Sequence, residues 1–420
     1  IMNMFWPMPN RSVVASGMGT FQQYVPVKRK RERFDLRLDH EAGTGNQFFA
    51  RGSYQYRNPT RMQWEAGAAL TQLPLVKSAM NTYALVGGWT SILSSRLVNE
   101  VRVGYNFDGS ERKSTWQAGD IAAKMGIELP PSVSPDTPGF PSINFVAGSN
   151  RPGNIADGGR NNNRTIEQNS FSIADNISWM AGGHSLRGGV LIGRNSAIDG
   201  FGRGLNHRGA YRFNGGFTGN AFADFLLGMP TRVDEHVSTR GDLNGYSWDF
   251  ATFVQDDWRV NKDLTLFLGL RYELAGGWNE KNNMLANFQA KDGGYHVVAD
   301  QTVWSLLPYG LSNPDSPYYS HVKLAGDLSL PKTLIKTDTN NFSPRVGFAY
   351  RLDGQGRTVL RGGFGLFHPT TAIQGIRDQL ATNEFRYTIQ RQPGPFANAF
   401  SQGVGMPGND DFGTQGVWPD

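Results

Sequence analysis

The sequence lacks three features that would place it in common classes of protein. It contains no cysteine, which excludes a disulfide framework, a thiol nucleophile and a cysteine-based metal site. It has no apolar run of the roughly 18 to 20 residues that a membrane-spanning helix needs, and its mean hydropathy is −0.43. A helical membrane protein is therefore excluded. A protein that crosses a membrane with strands stays open, because only alternate residues of such strands must be apolar.

The sequence also lacks motifs for catalysis or cofactor binding. No phosphate loop is present, and Gly200, Gly202 and Gly204 do not have the spacing of a dinucleotide fingerprint. The 7 histidines are scattered, and no two of them have metal-ligand spacing on a common helix. Asp256 and Asp257 allow a paired-acid or cation site, but we favour one carboxylate on each face of a strand. We therefore expect no enzyme activity, no cofactor and no metal site.

Charge is modest and spread along the chain. Charged residues make up 18% of the sequence, and the net charge is +5. The one basic cluster, at 28–31, suits either an anionic surface or a solvated strand entry, and we favour the second. We expect no nucleic-acid partner.

What the sequence has in quantity is glycine, with 52 residues, and aromatic side chains, at 12%. Glycine is a poor helix former and aromatic residues suit a pleated surface, so this composition favours strands. Apolar and polar residues also alternate in segments of about ten residues. That is the length of a tilted membrane strand, about 9 to 11 residues, whereas soluble strands are nearer 5 or 6. Asn99 and Asp175 are exceptions, because they interrupt otherwise apolar faces.

The lengths of the connections also alternate along the chain. We predict strands at 32–40, 47–57, 80–92, 95–107, 166–179, 184–194, 209–214, 233–240, 246–260, 264–274, 342–352 and 358–367. Short links join most pairs, and the long loops Asp108–Arg164 and Ala275–Asn341 separate others. Outer-membrane barrels sort their connections in this way, with short periplasmic turns and long extracellular loops. Helical spacing predicts short loop helices at Asp120–Met125 and Gly219–Gly228.

These patterns predict an all-β fold. We expect an antiparallel up-and-down transmembrane β-barrel, present as an incomplete, open and curved sheet of about 12 strands with long extracellular loops. Residues 1–31 are expected to form an irregular lead-in, 32–367 the partial barrel with long loops at 108–164 and 275–341, and 368–420 an extracellular loop or truncated end. A barrel cannot leave unpaired edges in lipid. We therefore expect the chain to be an internal fragment of a larger barrel.

The two faces of the predicted strands suggest two kinds of functional residue. The polar face would line an enclosed lumen, with cross-strand charge pairing as the alternative role of each residue. The candidate lumen-lining residues are Arg33, Asp35, Arg37, Asp39, Arg51, Glu100, Arg102, Arg271, Glu273, Arg345 and Arg351. Aromatic residues near strand ends are candidates for a membrane girdle, because their rings prefer the headgroup level. They are Trp179, Trp258 and Tyr350, and ordinary sheet packing is the alternative for each.

Several motifs carry a family resemblance. The hairpin FVQDDWRV at 253–260, with LTL at 264–266 and GLRYE at 269–273, resembles one common in TonB-dependent outer-membrane transporters. The Oar-like subgroup of that family is similar at four further stretches, which are LVNEVR at 97–102, FADFLLG at 222–228, FSPRVGFAY at 342–350 and VLRGGFG at 359–365. The likeness spans most of residues 30–370.

The resemblance implies a plugged barrel of about 22 strands with an N-terminal TonB box. We expect this chain to hold neither plug nor box, and about half of the strands. The function it implies is TonB-dependent uptake of a solute across the bacterial outer membrane. The implied partners are outer-membrane lipid, the TonB complex through an N-terminal region that we expect to lie outside this chain, and an unidentified solute ligand.

Two other functions fit the same pattern. A passive outer-membrane porin or a surface adhesin shares the strand pattern, and a plug and TonB box upstream would argue against both. A secreted soluble β-protein, such as a lectin or a propeller, would be monodisperse in water. A requirement for detergent would argue against that last alternative.

Overall fold

The computed structural model of the chain describes most of its residues. They are residues 10, 29–59, 61–62, 75–114, 118–130, 135–136, 141–145, 164–201, 208–238, 242–289, 294–307, 309–317, 319–353, 356–368 and 386–391. The strands are β1 (Arg29–Glu41), β2 (Asn46–Pro59), β3 (Arg61–Met62), β4 (Leu75–Ser94), β5 (Leu97–Ser114), β6 (Ser142–Phe145), β7 (Arg164–Ala181), β8 (His184–Phe201), β9 (Ala210–Phe213), β10 (Arg232–Ser238), β11 (Leu243–Arg259), β12 (Leu264–Ala275), β13 (Asn279–Glu280), β14 (Ala286–Gln289), β15 (Tyr295–Val298), β16 (Val322–Leu324), β17 (Phe342–Arg351), β18 (Val359–Gly365) and β19 (Arg386–Arg391).

Helices are short and lie in the long connections. They are α1 (Ala118–Met125), α2 (Ala221–Leu226), α3 (Tyr309–Ser312) and 3₁₀ turns at Gln301–Leu306, Tyr319–His321 and Gly326–Leu328. The first two confirm the helices predicted from spacing. Over the described ranges, no helix combines the length and hydrophobicity needed to cross a membrane.

One antiparallel sheet dominates the molecule. Ten strands follow one another in the order β1-β2-β4-β5-β7-β8-β11-β12-β17-β18, and β3 and β13 pair at its margins to make 12 strands. Each strand of the path pairs with the next one along the chain, which is an up-and-down topology. Among the described residues, β1 and β18 form the two open edges. The predicted open sheet of about 12 strands is confirmed.

The membership of that sheet differs from the prediction. The predicted strands 209–214 and 233–240 correspond to β9 and β10, which belong to a separate sheet ordered β19-β10-β9-β6. Ala210, Tyr211 and Phe213 of β9 are all fully buried. A short strand that is covered on both faces packs within a core of its own and cannot present one face to lipid.

Short and long connections lie at opposite ends of the main sheet. The turns after β1, β4, β7, β11 and β17 are all short, and they fall at one end because neighbouring strands are antiparallel. The long connections after β2, β5, β8 and β12 fall at the other end. The end with the short turns is called the turn end below, and the other the loop end. The predicted sorting of connections is confirmed.

The central strands are longer than the alternating pattern predicts. Strand β4 has 20 residues, and β5, β7 and β8 have 18 each. Their extra residues lie at the loop end, as in Gly109–Ser114 of β5. Backbone pairing continues there without apolar alternation. Sequence periodicity therefore marks the two-faced part of a strand and misses its polar extension.

The long connections fold into packed units, which the prediction of plain loops missed. Strands β14, β15 and β16 form a small sheet, and Leu285, Val297 and Leu311 are fully buried around it. In the separate sheet, the rings of Phe145 and Phe213 are 5.8 Å apart, and Phe225 of α2 packs edge-on against both. These segments can form a packed core because their apolar residues do not alternate with polar residues along the strand.

The predicted domain boundaries stay predictions, and the structure describes only part of each. In the lead-in 1–31, β1 begins at Arg29, and residues 1–9 and 11–28 lie outside the described residues. At its start, Lys30 pairs with Glu32 at 2.8 Å and Arg31 donates to Gln55. In 368–420, only His368 and β19 are described, and β19 pairs with β10.

Two adjacent glycines in β8 test the register in which this strand pairs with its neighbours β7 and β11. A methyl group added to Gly189 would lie 2.8 Å from the carbonyl oxygen of Asp175, whereas one added to Gly188 would meet nothing closer than 3.5 Å. We expect Gly189→Ala to lower the free energy of unfolding by about 1–3 kcal/mol, as overpacking does, and Gly188→Ala to change it little. Urea titration of the detergent-solubilised protein measures both, and equal losses would contradict the register.

Candidate functional site

The register places all the charged candidates on one face of the main sheet. Residues directly opposite each other on paired strands share a face, as do alternate residues within one strand. Arg37 lies opposite Arg51, and the pairing carries that face across every strand to Arg345, which lies opposite Gly269. This polar face holds Arg33, Asp35, Arg37, Asp39, Arg51, Glu100, Arg102, Arg271, Glu273, Arg345 and Arg351.

Nine of these eleven residues form ion pairs with one another. The pairs Arg33–Asp35, Arg37–Asp39, Glu100–Arg102 and Arg271–Glu273 each close to 2.6 Å. Arg51 reaches Asp35 from the next strand at 3.4 Å. Most pairs therefore join residues i and i+2 of one strand and do not cross between strands. Such residues lie about 7 Å apart on one face, and a long arginine side chain spans that distance.

The other two candidates have different surroundings. Arg345 lies over the ring of Phe367, with its guanidinium carbon 4.6 Å from the ring centroid. Arg351 ends β17 at the turn end, where its backbone N–H donates to the carbonyl oxygen of Asp263. No ion pair between described residues includes either arginine.

The opposite face is apolar and exposed. Phe34 is 63% exposed, Leu85 55% and Val254 53%. The same face continues through Val103, Ile173, Ile192 and Leu270, and all of them are exposed. Exposed apolar patches beyond a few hundred Å² are rare on soluble monomers. A face of this kind needs an apolar environment.

The three aromatic candidates lie on the apolar face at the turn end. Trp179 and Trp258 are close to the ends of β7 and β11, and Tyr350 is next to the last residue of β17. Trp258 stacks on His184 with ring centroids 5.1 Å apart. Phe48 and Trp89 stack in the same region at 6.1 Å.

A second aromatic row lies nearer the loop end of the apolar face, and sequence reasoning missed it. Tyr54 packs on Tyr83 at 5.1 Å, and Tyr83 packs on Phe107 at 5.7 Å. Arg194 lies over Tyr246 and Trp248 further along. The sequence signal that could have revealed this row is a second aromatic residue on the apolar side of each of these strands.

Four polar residues on the apolar face form two pairs. The side-chain amide of Asn99 donates to Asp175 at 2.6 Å. Nδ1 of His184 lies 2.7 Å from Asp256. Asp256 and Asp257 point to opposite faces, because adjacent strand residues alternate, and this confirms the favoured interpretation of that pair. The partners are far apart in sequence, so periodicity flags single exceptions and cannot pair them.

In the separate sheet β19-β10-β9-β6, charged and polar groups stabilise the fold. Asp234 is fully buried and pairs with both Arg212 and Arg232. The hydroxyl of Tyr211 donates to the carbonyl oxygen of Glu128, and burial raises the pKa of Tyr211 above its usual value. Within the described ranges, no three His, Asp or Glu side chains lie close enough together to hold a metal ion.

Comparison with known proteins gives one family and several distant structures. The family described as an outer membrane beta barrel domain matches residues 1–417. No curated protein matches. P. aeruginosa FpvA bound to heterologous pyoverdines is similar at 12% identity and a TM-score of 0.43, over 87% of this chain and 38% of that one.

Two further solved structures are similar at the same level. The copper transporter OprC has 13% identity and a TM-score of 0.41, over 83% of this chain and 37% of its own. The ferric-catecholate import receptor Fiu from E. coli K12 has 11% identity and a TM-score of 0.41, over 87% and 48%. The chain thus spans less than half the length of each. At these identities and TM-scores, the likenesses carry no argument about what this chain binds.

The pair His184–Asp256 can be tested by a double-mutant cycle. We expect His184→Leu to destabilise the protein by about 1–3 kcal/mol, because it leaves a carboxylate unpaired among apolar side chains. Asp256→Leu should cost less, because an imidazole left without its partner costs less to desolvate than a carboxylate does. The double variant should regain most of the loss. Urea unfolding in detergent micelles measures each, and simply additive losses would show that the two groups are not coupled.

Proposed function

Because the chain belongs to the outer membrane beta barrel domain family, we propose that it forms part of the barrel wall of a transporter that takes up a solute by TonB-dependent import. It is a protein of the bacterial outer membrane with an incomplete barrel of antiparallel strands. The observation that carries the proposal is the separation of the two faces of one continuous sheet.

The polar face is assigned to the lumen in this proposal, and the apolar face to lipid. The eleven charged residues defined above would line the aqueous channel. Four carboxylates offset four of the seven arginines, so the eleven residues together carry a charge of +3. Exposed ion pairs of this kind contribute little to stability, about 0–1 kcal/mol each, so their arrangement fits a lining better than a structural staple.

The distance between the two aromatic rows supports the assignment of the apolar face to lipid. Trp258 at the turn end and Trp248 nearer the loop end are ten residues apart on the apolar face of β11. At about 3.3 Å per residue and a tilt near 40°, that distance is about 25 Å across the membrane, the height of the apolar band of outer-membrane barrels. We assign Trp179, Trp258 and Tyr350 to a girdle at the turn end.

The TonB-dependent part of the proposal rests on sequence motifs. The hairpin β11–β12 carries the FVQDDWRV and GLRYE motifs, and β17–β18 carries FSPRVGFAY and VLRGGFG. Membership of the Oar-like subgroup stays a prediction. The solute is not specified by these motifs, and the partners are outer-membrane lipid, the TonB complex and that solute.

Neighbouring residues of β5 test the assignment of faces. The chain has no cysteine, so Arg102→Cys and Val103→Cys can each carry a single nitroxide label in the lipid-reconstituted protein. We expect the label at 102 to be more accessible to a water-soluble nickel chelate, and the label at 103 to be more accessible to oxygen, which concentrates in lipid. Electron paramagnetic resonance power saturation measures both. Equal or reversed accessibilities would refute the face assignment.

Energy coupling is tested with the full-length protein. We expect liposomes that contain it to show no more solute-driven swelling than empty liposomes, because a TonB-dependent transporter does not conduct passively. Cells that need it for growth on a limiting nutrient should lose that growth when TonB is deleted. Rapid swelling of the liposomes, together with growth that persists without TonB, would identify a passive porin instead.

A further inference from the structure

The polar face contains a groove that the network of ion pairs does not account for. It is an open groove of about 390 Å³ where β11, β12, β17 and β18 lie side by side. Its lining includes Gln255, Phe267, Gly269, Arg345, Gly347 and Phe367. The volume falls within the range of small-molecule sites, about 300–1,000 Å³.

Four glycines line this groove, and at one of them, Gly269, the local packing does not require glycine. Gly269 and Gly347 are absent from the glycines with left-handed φ. A Cβ on Gly269 would lie 3.7 Å from its nearest neighbour, an ordinary contact, whereas one on Gly88 elsewhere on this face would lie 2.1 Å from the ring of Phe49. Glycine weakens a strand, and in a strand interior it marks a bulge, a tight bend, or the close approach of a ligand or another backbone. Gly269 therefore leaves room on this face for an occupant.

Arg345 is the charge that an occupant would meet. Two other arginines of this face are paired, Arg271 with Glu273 at 2.6 Å and Arg187 with Asp257 at 3.8 Å. Arg345 instead lies over the ring of Phe367, and stacking on a ring leaves the edge of a guanidinium free to donate hydrogen bonds. Phe267 lines the same groove. A guanidinium among phenyl rings suits a carboxylate attached to a flat apolar body.

We propose that this groove binds an anionic solute with a flat apolar body, of which an aromatic carboxylate is the simplest member. The carboxylate would pair with Arg345, and the apolar body would lie over Gly269 between the phenyl rings. This inference rests on the proposed function, because it takes the polar face to border the aqueous lumen.

Fluorine NMR of the full-length protein in detergent micelles tests the site, with fluorobenzoate as the anion and fluorobenzylammonium as a cation of the same shape. We expect the protein to broaden the fluorobenzoate signal and to leave the fluorobenzylammonium signal sharp. Arg345→Gln should weaken fluorobenzoate binding by about tenfold or more, the value of a charged hydrogen bond. Gly269→Leu should abolish it by filling the groove.

Two variants provide matched controls. Arg361→Gln removes a charge from the same face, where Arg361 lies opposite Ala349 outside the groove lining. Gly188→Leu adds the same side chain on the apolar face, where a Cβ on residue 188 would lie 3.5 Å from its nearest neighbour, the carbonyl oxygen of Phe253. Both should bind fluorobenzoate as the unmodified protein does.

Three results would overturn the proposal: no binding of fluorobenzoate, equal binding of the cation, or unchanged binding by Arg345→Gln. If Gly269→Leu does not fold, Arg345→Gln decides alone. If fluorobenzoate does not bind but the nitroxide labels at 102 and 103 show the expected accessibilities, only this binding site is refuted. Reversed accessibilities would refute the face assignment on which it depends.

Discussion

The constraint on which the rest of this structure depends is the strand register. In a sheet with unlike faces, a shift of one residue between two strands would move every apolar side chain of one strand to the polar side. Here the register holds one polar and one apolar face across ten strands of the main path. Each face can then meet a single environment, which is the condition for a wall between water and lipid.

Polar groups on the apolar face are consistent with this constraint. Asn99 and Asp175 satisfy each other, as do His184 and Asp256. Both pairs lie in the half of the sheet toward the turn end, where Trp179 and Trp258 also lie. An isolated polar group would be costly in an apolar environment. Pairing two such groups across neighbouring strands lowers that cost and also specifies which residues face each other.

The long connections follow a different physical rule from the strands they join. The main sheet exposes its apolar side chains, whereas the two smaller sheets, β19-β10-β9-β6 and β14-β15-β16, bury theirs, as at Phe145 and Val297. Small sheets surrounded by water are stable only with a packed core. One chain therefore contains two kinds of β-structure, and the difference follows from the solvent that each part meets.

The sequence by itself determined the all-β class, the two faces of the strands and the sorting of short and long connections. Period-2 alternation is a local property, so Phe34 and Arg37 reveal their faces without any knowledge of neighbours. Only the tertiary structure decided which strands share the main sheet, that β9 and β10 leave it, and that Arg37 pairs with Asp39 while Arg345 has Phe367. Those outcomes depend on contacts between residues distant in the chain, which no local pattern records.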